Sequence, residues 1–181
     1  MKRKKKSFIL LLCMILLMIS GCGGSEEPQS DVAPQESVTV QNGFVTTDLY
    51  GEEVTDAIFA ESKLTVLNVW ATYCGPCINE MPDLGELAAE YEDMDVRIVG
   101  IPMDVMNQES LEYAFTIVED TGADYTHLLL TQELYDWGLQ EVQYVPTTFF
   151  VNGQGEIIDT VVGSMDKESW KELIDEKLAS L

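Results

Sequence analysis

The stretch Leu64-Thr65-Val66-Leu67-Asn68-Val69-Trp70-Ala71-Thr72-Tyr73-Cys74-Gly75-Pro76-Cys77 decides the reading of this chain. Its first eight residues are β-branched or apolar apart from Asn68, as expected of a buried central strand. Beyond the second cysteine, Met81, Leu84, Ala88 and Tyr91 recur at three- and four-residue spacing, which is one face of a helix. The cysteines therefore sit at a strand-to-helix turn. Gly75 permits the tight backbone there, and Pro76 is tolerated in a first helical turn, where its missing N–H has no intrahelical partner to lose. Pro82, further in, predicts a kink.

Working outward, Val96 to Pro102 reads as a second strand, and Leu111, Ala114, Phe115 and Val118 mark a second helical face ending before Gly122. A short strand is expected within Tyr125 to Leu130, then a brief helical stretch around Leu134 to Gly138. Thr147 to Val151 and Glu156 to Val162, joined by Asn152-Gly153-Gln154-Gly155, give a strong hairpin signal. Trp170, Leu173, Ile174 and Leu178 mark a closing amphipathic helix, and Phe44 to Asp48 with Glu52 to Thr55 predict a small leading hairpin around Gly51. Strands separated by helices point to an α/β sheet with helices on both faces.

The 181 residues are 46% hydrophobic and 23% charged, the composition of roughly one globular domain. Ten Lys and Arg against 32 Asp and Glu give a formal charge of −22. Nucleic-acid partners are excluded on that ground, because their affinity rests on Lys and Arg replacing condensed counterions. Five of the cations are Lys2, Arg3, Lys4, Lys5 and Lys6, so residues 22–181 carry 5 cations and 32 acids, a net −27. Such a remainder is repelled by anionic membranes unless something tethers it.

The basic start is followed by a mostly apolar run from Ser7 to Ile19 and then by small residues, the three-part layout of a secretory signal. The run is too short for a comfortable span, which needs about 20 apolar residues. Its end, Ile19-Ser20-Gly21-Cys22, resembles the lipobox of bacterial lipoproteins, which implies cleavage before Cys22 and lipidation of Cys22. The other reading is an uncleaved signal anchor with Cys22 an ordinary thiol; either one exports the domain. Residues 23–37 hold almost no apolar side chains and read as a flexible spacer. The expected organisation is a signal peptide at 1–21, a lipidated cysteine and spacer at 22–37, and a folded domain at 38–181.

Of the four cysteines, Cys13 leaves with the signal and Cys22 carries lipid, which leaves Cys74 and Cys77 to act together. A bridge across two residues staples little, since stabilisation grows with the loop closed. No metal is expected: zinc needs four ligands, and the mature chain offers only His127 as a further soft or nitrogen ligand. Copper would also want a His and a wider cysteine spacing, and Met103 and Met106 read as core filler.

The order of elements, Val69 to Cys77, and Val145-Pro146-Thr147-Thr148 before the hairpin together resemble the thioredoxin fold over about residues 40–181. The Asn68-Val69-Trp70 run, Glu80-Met81-Pro82 and the helix-containing stretch 103–140 are similar to the TlpA/ResA-like group of membrane-anchored thiol-disulfide oxidoreductases. The implied fold is a central mixed sheet flanked by helices, with an N-terminal β-hairpin and a central helix-containing insertion. The implied cofactor is none beyond the redox-active disulfide Cys74–Cys77.

A disulfide is broken by a thiolate attacking one sulfur, so the first cysteine must be exposed and must have a lowered pKa. Cys74, at a helix N-terminus, meets both demands, and Cys77, one turn behind, resolves the mixed disulfide. The resemblance implies a cis Pro146 facing the pair and exposing the backbone of Val145 for partner recognition; a trans proline ending a loop is the plainer alternative. Ordinary thioredoxin carries a buried Asp six residues before the first cysteine, where this chain has Asn68, which neither takes nor gives that proton. Glu80, three residues after Cys77, is the candidate replacement by resemblance, against the alternative that it is one more solvated acid. Trp70 and Tyr73, with Gly75 and Pro76, are expected to shape the contact surface, although Trp70 also fits a core position. His127 reads as structural.

These readings converge on an exported, lipid-anchored, monomeric thiol-disulfide oxidoreductase on the extracytoplasmic side of a bacterial membrane. The resemblance favours a reductase, fed by a membrane thiol-electron transporter and acting on exported disulfide-containing proteins such as apocytochrome c or methionine sulfoxide reductase. Two alternatives stand beside it: an oxidant that installs disulfides, and a binding lipoprotein that keeps the fold as a scaffold. A peroxidase is disfavoured, because the Thr-x-x-Cys pattern is missing around Cys74.

Overall fold

Every residue of the strand Leu64–Trp70 is buried, which fits its near-continuous apolar sequence and places it at the centre of the sheet. The computed structural model describes residues 43–181; the expected signal peptide, Cys22, the spacer and the first residues of the 38–181 domain lie outside the described residues. In chain order the elements are β1 (Val45–Thr47), β2 (Glu53–Thr55), a 3-10 helix (Asp56–Glu61), β3 (Leu64–Trp70), α1 (Gly75–Tyr91), β4 (Val96–Pro102), α2 (Gln108–Thr121), β5 (Thr126–His127), α3 (Gln132–Leu134) continuing into a π-turn (Tyr135–Leu139), β6 (Thr147–Asn152), β7 (Ile157–Val162) and α4 (Lys167–Ala179). The five-stranded sheet runs β5-β4-β3-β6-β7, with β4 parallel to β3 and β5, and β6 antiparallel to β3 and β7. This is the thioredoxin-like architecture with a mixed sheet.

The pleat sorts the strand residues into two cores. Leu64, Val66 and Trp70 pack with α1, α2 and α4 through Met81, Leu84, Val118 and Ile174. Leu67, Val69, Val99 and Phe149 join the other core, under the 3-10 helix and the segment 132–139. There Phe59 stacks on Trp137 with centroids 4.9 Å apart, and Phe44 meets both rings edge-on. Helical segments do cover both faces, but the long helices share one of them.

Four local expectations are refined. Helix α1 continues through Pro82, which lies exposed, so the proline removes one donor toward Ile78 without ending the element. Within α1 the buried stripe includes Leu87, and Ala88 is only half-buried. β5 keeps only two residues because the chain after it turns to the leading hairpin: Leu49 N donates to His127 O at 2.9 Å and Leu129 N to Thr47 O at 2.8 Å. The β1–β2 hairpin thus covers an edge that would otherwise present unpaired backbone groups. Met106 is 74% exposed rather than core filler, whereas Met103 packs half-buried on both cores.

The register aligns one row across the sheet, His127, Gly100, Asn68, Thr148 and Val161. Gly100 is required there because a Cβ on it would lie 2.1 Å from His127 Nδ1. The imidazole cannot retreat, being stacked on Tyr125 with centroids 4.5 Å apart and hydrogen-bonded at both nitrogens. Gly100→Ala is therefore expected to destabilise the protein by about 2 kcal/mol through overpacking, read by urea denaturation; a change within about 0.5 kcal/mol, the ordinary range of a surface substitution, would show that this contact is not rigid.

Candidate active site

The turn between β3 and α1 brings the two cysteines together. Cys74 is the N-cap of α1, its Sγ accepting from Cys77 N at 3.3 Å, and the pair is joined as a disulfide with Cα atoms 5.3 Å apart. Against the expectation of an exposed first cysteine, Cys74 is buried at 6% exposure, because it caps α1 and is bonded to Cys77; Cys77 is fully buried, so Cys74 is the more accessible sulfur of the two. Tyr73, Gly75 and Pro76 are exposed around Cys74. The Val145–Pro146 bond is cis, Pro146 is buried, and half-buried Val145 packs against the core that holds both cysteines.

Trp70 needs correcting as a contact residue. It is fully buried, and its Nε1–H donates to His127 Nδ1 at 3.2 Å, so it supports the turn from within. His127 Nε2 lies 3.0 Å from the Ala123 carbonyl, which accepts from it, and this fixes the tautomer. Burial pushes the imidazole pKa down to about 4, against a smaller upward pull from the Ala123 hydrogen bond. It stays neutral and structural, with neither nitrogen free for a metal. Among the described residues no group of three or more His, Cys, Asp or Glu is arranged to hold a metal ion.

Glu80 is not one of the solvated acids. It is 2% exposed, on the α1 turn after Cys77, and three donors converge on it. Asn68 Nδ2 donates to Oε1 at 3.1 Å; Met165 N and Trp170 Nε1 donate to Oε2, each at 3.2 Å. Burial lifts its pKa from 4.5 to about 7; the three hydrogen bonds pull the other way and the charge of Asp83 adds to the rise. Asn68 also donates to Thr148 Oγ1 at 2.9 Å, and its Oδ1 has no partner. The neighbouring Tyr125 hydroxyl is also unpartnered, and burial with the Glu80 charge raises its pKa. The polar layer under α1 thus holds a carboxyl group that can gain or lose a proton near neutrality.

Sequence reasoning missed several of these groups. Trp170 read only as a face of the last helix, and Met165 contributes a backbone N–H that no side-chain pattern reveals. Asp104 was hidden among 32 acids, yet its carboxylate accepts from Thr72 N at 3.0 and 3.1 Å and from Thr72 Oγ1 at 2.6 Å. That clamp, with Met103 N donating to Trp70 O at 3.0 Å, ties the turn before Cys74 to the loop after β4. The one available signal was position, since Asp104 follows a strand expected to lie beside β3.

The AhpC/TSA family matches residues 31–160 of the chain. The thiol-disulfide oxidoreductase ResA of Bacillus anthracis is 29% identical over 175 residues, covering 91% of this chain and 93% of that protein. ResA of Halalkalibacterium halodurans is 30% identical over 132 residues, 73% of this chain and 72% of the relative. The crystal structure of StoA from Bacillus subtilis superposes with a TM-score of 0.59 at 24% identity, covering 72% of this chain and 94% of StoA. A DsbF homologue from Corynebacterium diphtheriae superposes with a TM-score of 0.64 at 24% identity, covering 80% and 89%. The two structures share the fold, and the sequence relatives carry the assignment further: the chain belongs to the AhpC/TSA family and, within the thioredoxin superfamily, is a thiol-disulfide oxidoreductase of the TlpA/ResA-like group.

Proposed function

We propose that this protein is an exported, lipid-anchored reductase of protein disulfides in which Cys74 attacks, Cys77 resolves and Glu80 handles the proton of Cys77. The observation that carries the proton role is the buried carboxyl group on the helical turn after Cys77, with a pKa of about 7. Cys77 is fully buried and has no direct route to solvent for its proton, so a buried acceptor is what the resolving step requires.

The cycle starts with the reduced pair. Backbone N–H groups and the positive end of α1 stabilise the Cys74 thiolate. That thiolate attacks one sulfur of a client disulfide, and the other client sulfur leaves as a thiolate that takes a proton from water. Cys77 then gives its proton to Glu80 and attacks the Cys74 sulfur, expelling the second client thiolate. Two electrons have passed to the client and the Cys74–Cys77 disulfide has formed. A membrane dithiol carrier returns the pair to the reduced form, and Glu80 returns its proton to Cys77.

Direction and setting rest on the resemblance to the TlpA/ResA-like group and on the signal-like N-terminus with Cys22. The clients proposed are exported proteins, of the apocytochrome c or methionine sulfoxide reductase kind. Tyr73, Gly75 and Pro76 offer an exposed rim for them, and the resemblance implies that the cis Pro146 faces the pair and presents the backbone of Val145.

Insulin-disulfide reduction tests the activity: Cys74→Ser is expected to fall to the uncatalysed rate, and Cys77→Ser to accumulate a mixed disulfide with the client on a non-reducing gel. Wild-type activity in Cys74→Ser would remove the mechanism and leave a scaffold. The proton role has a stability signature as well. A carboxyl group with a raised pKa binds its proton more tightly in the folded state than in the unfolded one, so folding loses stability as pH rises from 4.5 to about 7. Against Glu80→Gln, which does not titrate, the oxidised wild-type protein should lose about 3 kcal/mol across that window; parallel stability curves would contradict the burial of an ionisable Glu80.

A further inference from the structure

The two oxygens of Glu80 are held differently. Oε2 accepts from Met165 N and Trp170 Nε1, both at 3.2 Å, while Oε1 accepts only from Asn68 Nδ2 at 3.1 Å. A carboxylate oxygen offers two acceptor sites, so Oε2 is filled by two donors and Oε1 keeps one site open. An indole N–H is a donor only. It can stabilise the carboxylate or the carbonyl oxygen of the acid, but cannot accept a proton placed on Oε2. Trp170 is fully buried and its N–H has no other acceptor.

We infer that Trp170, with the backbone N–H of Met165, is a positioning residue that fills Glu80 Oε2 and leaves Oε1 as the oxygen that takes up and gives back the proton. This rests on the proton role proposed above for Glu80. The same arrangement links that proton to the client-facing segment. Gly163, at φ 106°, donates its N–H to Pro146 O at 2.9 Å, and two residues on Met165 N reaches Glu80. The strap between β7 and α4 therefore touches both the cis-proline loop and the carboxyl group.

Few charges compete at this position. Asp83 on α1 repels the carboxylate, and Tyr125, between α2 and β5, is a buried phenol held neutral. On α4, Asp166 accepts from Ser169 N at 2.8 Å, and Lys167 pairs with Glu86 and Glu90 on the outer surface of α1. The β3 and β6 neighbours, Asn68 and Thr148, do not titrate. The donors on Oε2 are thus the groups of α4 and its approach that bear on the proton affinity of Glu80.

The test follows the indole N–H of Trp170 in 1H–15N spectra of the full-length protein from pH 5 to pH 9. Its resonance is expected to move with a midpoint close to the Glu80 pKa of about 7, and to be flat in Glu80→Gln. Loss of one hydrogen bond to the charged form in Trp170→Phe should raise the Glu80 midpoint, read from its carboxyl 13C shift, by about one pH unit. The pH midpoint for client release from the mixed disulfide should move with it. Should the Phe variant not fold, benzothienylalanine at position 170 removes the N–H and keeps the ring shape. An indole resonance that ignores pH in the wild type, or a Glu80 midpoint unchanged by removal of the N–H, overturns the positioning role. A Glu80→Gln protein whose client release keeps the wild-type pH profile instead overturns the reading of Glu80 on which it rests.

Discussion

Burying Glu80 on the helical turn after Cys77 is the constraint around which the site is organised. An ionised carboxylate without partners in such a place is costly, and a neutral one would be useless as a base. The protein meets the conflict with donors from three directions: the central strand supplies Asn68, the last helix Trp170 and the strap before that helix Met165 N. Each depends on the long-range packing of β3, α1 and α4. The site is therefore a property of the assembled domain and not of the Cys-x-x-Cys turn alone.

Cations take no part in this. All five lysines and arginines of the described residues form ion pairs with acids: Lys63 with Asp95, Arg97 with Glu61, Lys167 and Lys171 with Glu90, and Lys177 with Asp159. Their side chains are partly or largely exposed, where such pairs contribute little. Placing a cation against Glu80 would have dropped its proton affinity well below neutrality. Neutral N–H donors give a weaker downward pull, and burial prevails over it. Asp104 does a different job: its charge lies against Thr72, where it fixes the turn from outside the core.

Much of this was legible in the sequence, and the gaps have physical reasons. The succession of elements along the chain, the helix faces and the hairpin were readable because apolar periodicity and Gly or Pro punctuation are local signals. The cysteine pair was readable as a unit because Cys74 and Cys77 stand two residues apart at a strand-to-helix turn. Trp70 was ambiguous, since a large aromatic beside a reactive turn suits a surface or a core equally, and only the His127 hydrogen bond decides it. Glu80 was ambiguous for the opposite reason: in a chain with 32 acids no local feature marks the one that is buried. Trp170 and Met165 were illegible as site residues because their contacts to Glu80 span 90 and 85 residues of sequence. Register supplied one further surprise, for the need for glycine at position 100 comes from a histidine on the next strand.

The most direct measurement is the reduction potential of the Cys74/Cys77 pair in the full-length protein, equilibrated with defined thiol buffers and read as free thiol. A value near that of thioredoxin, about −270 mV, is what electron delivery to exported disulfides requires. A value toward that of the disulfide-forming oxidant DsbA, about −120 mV, would contradict the account and reverse the direction of exchange.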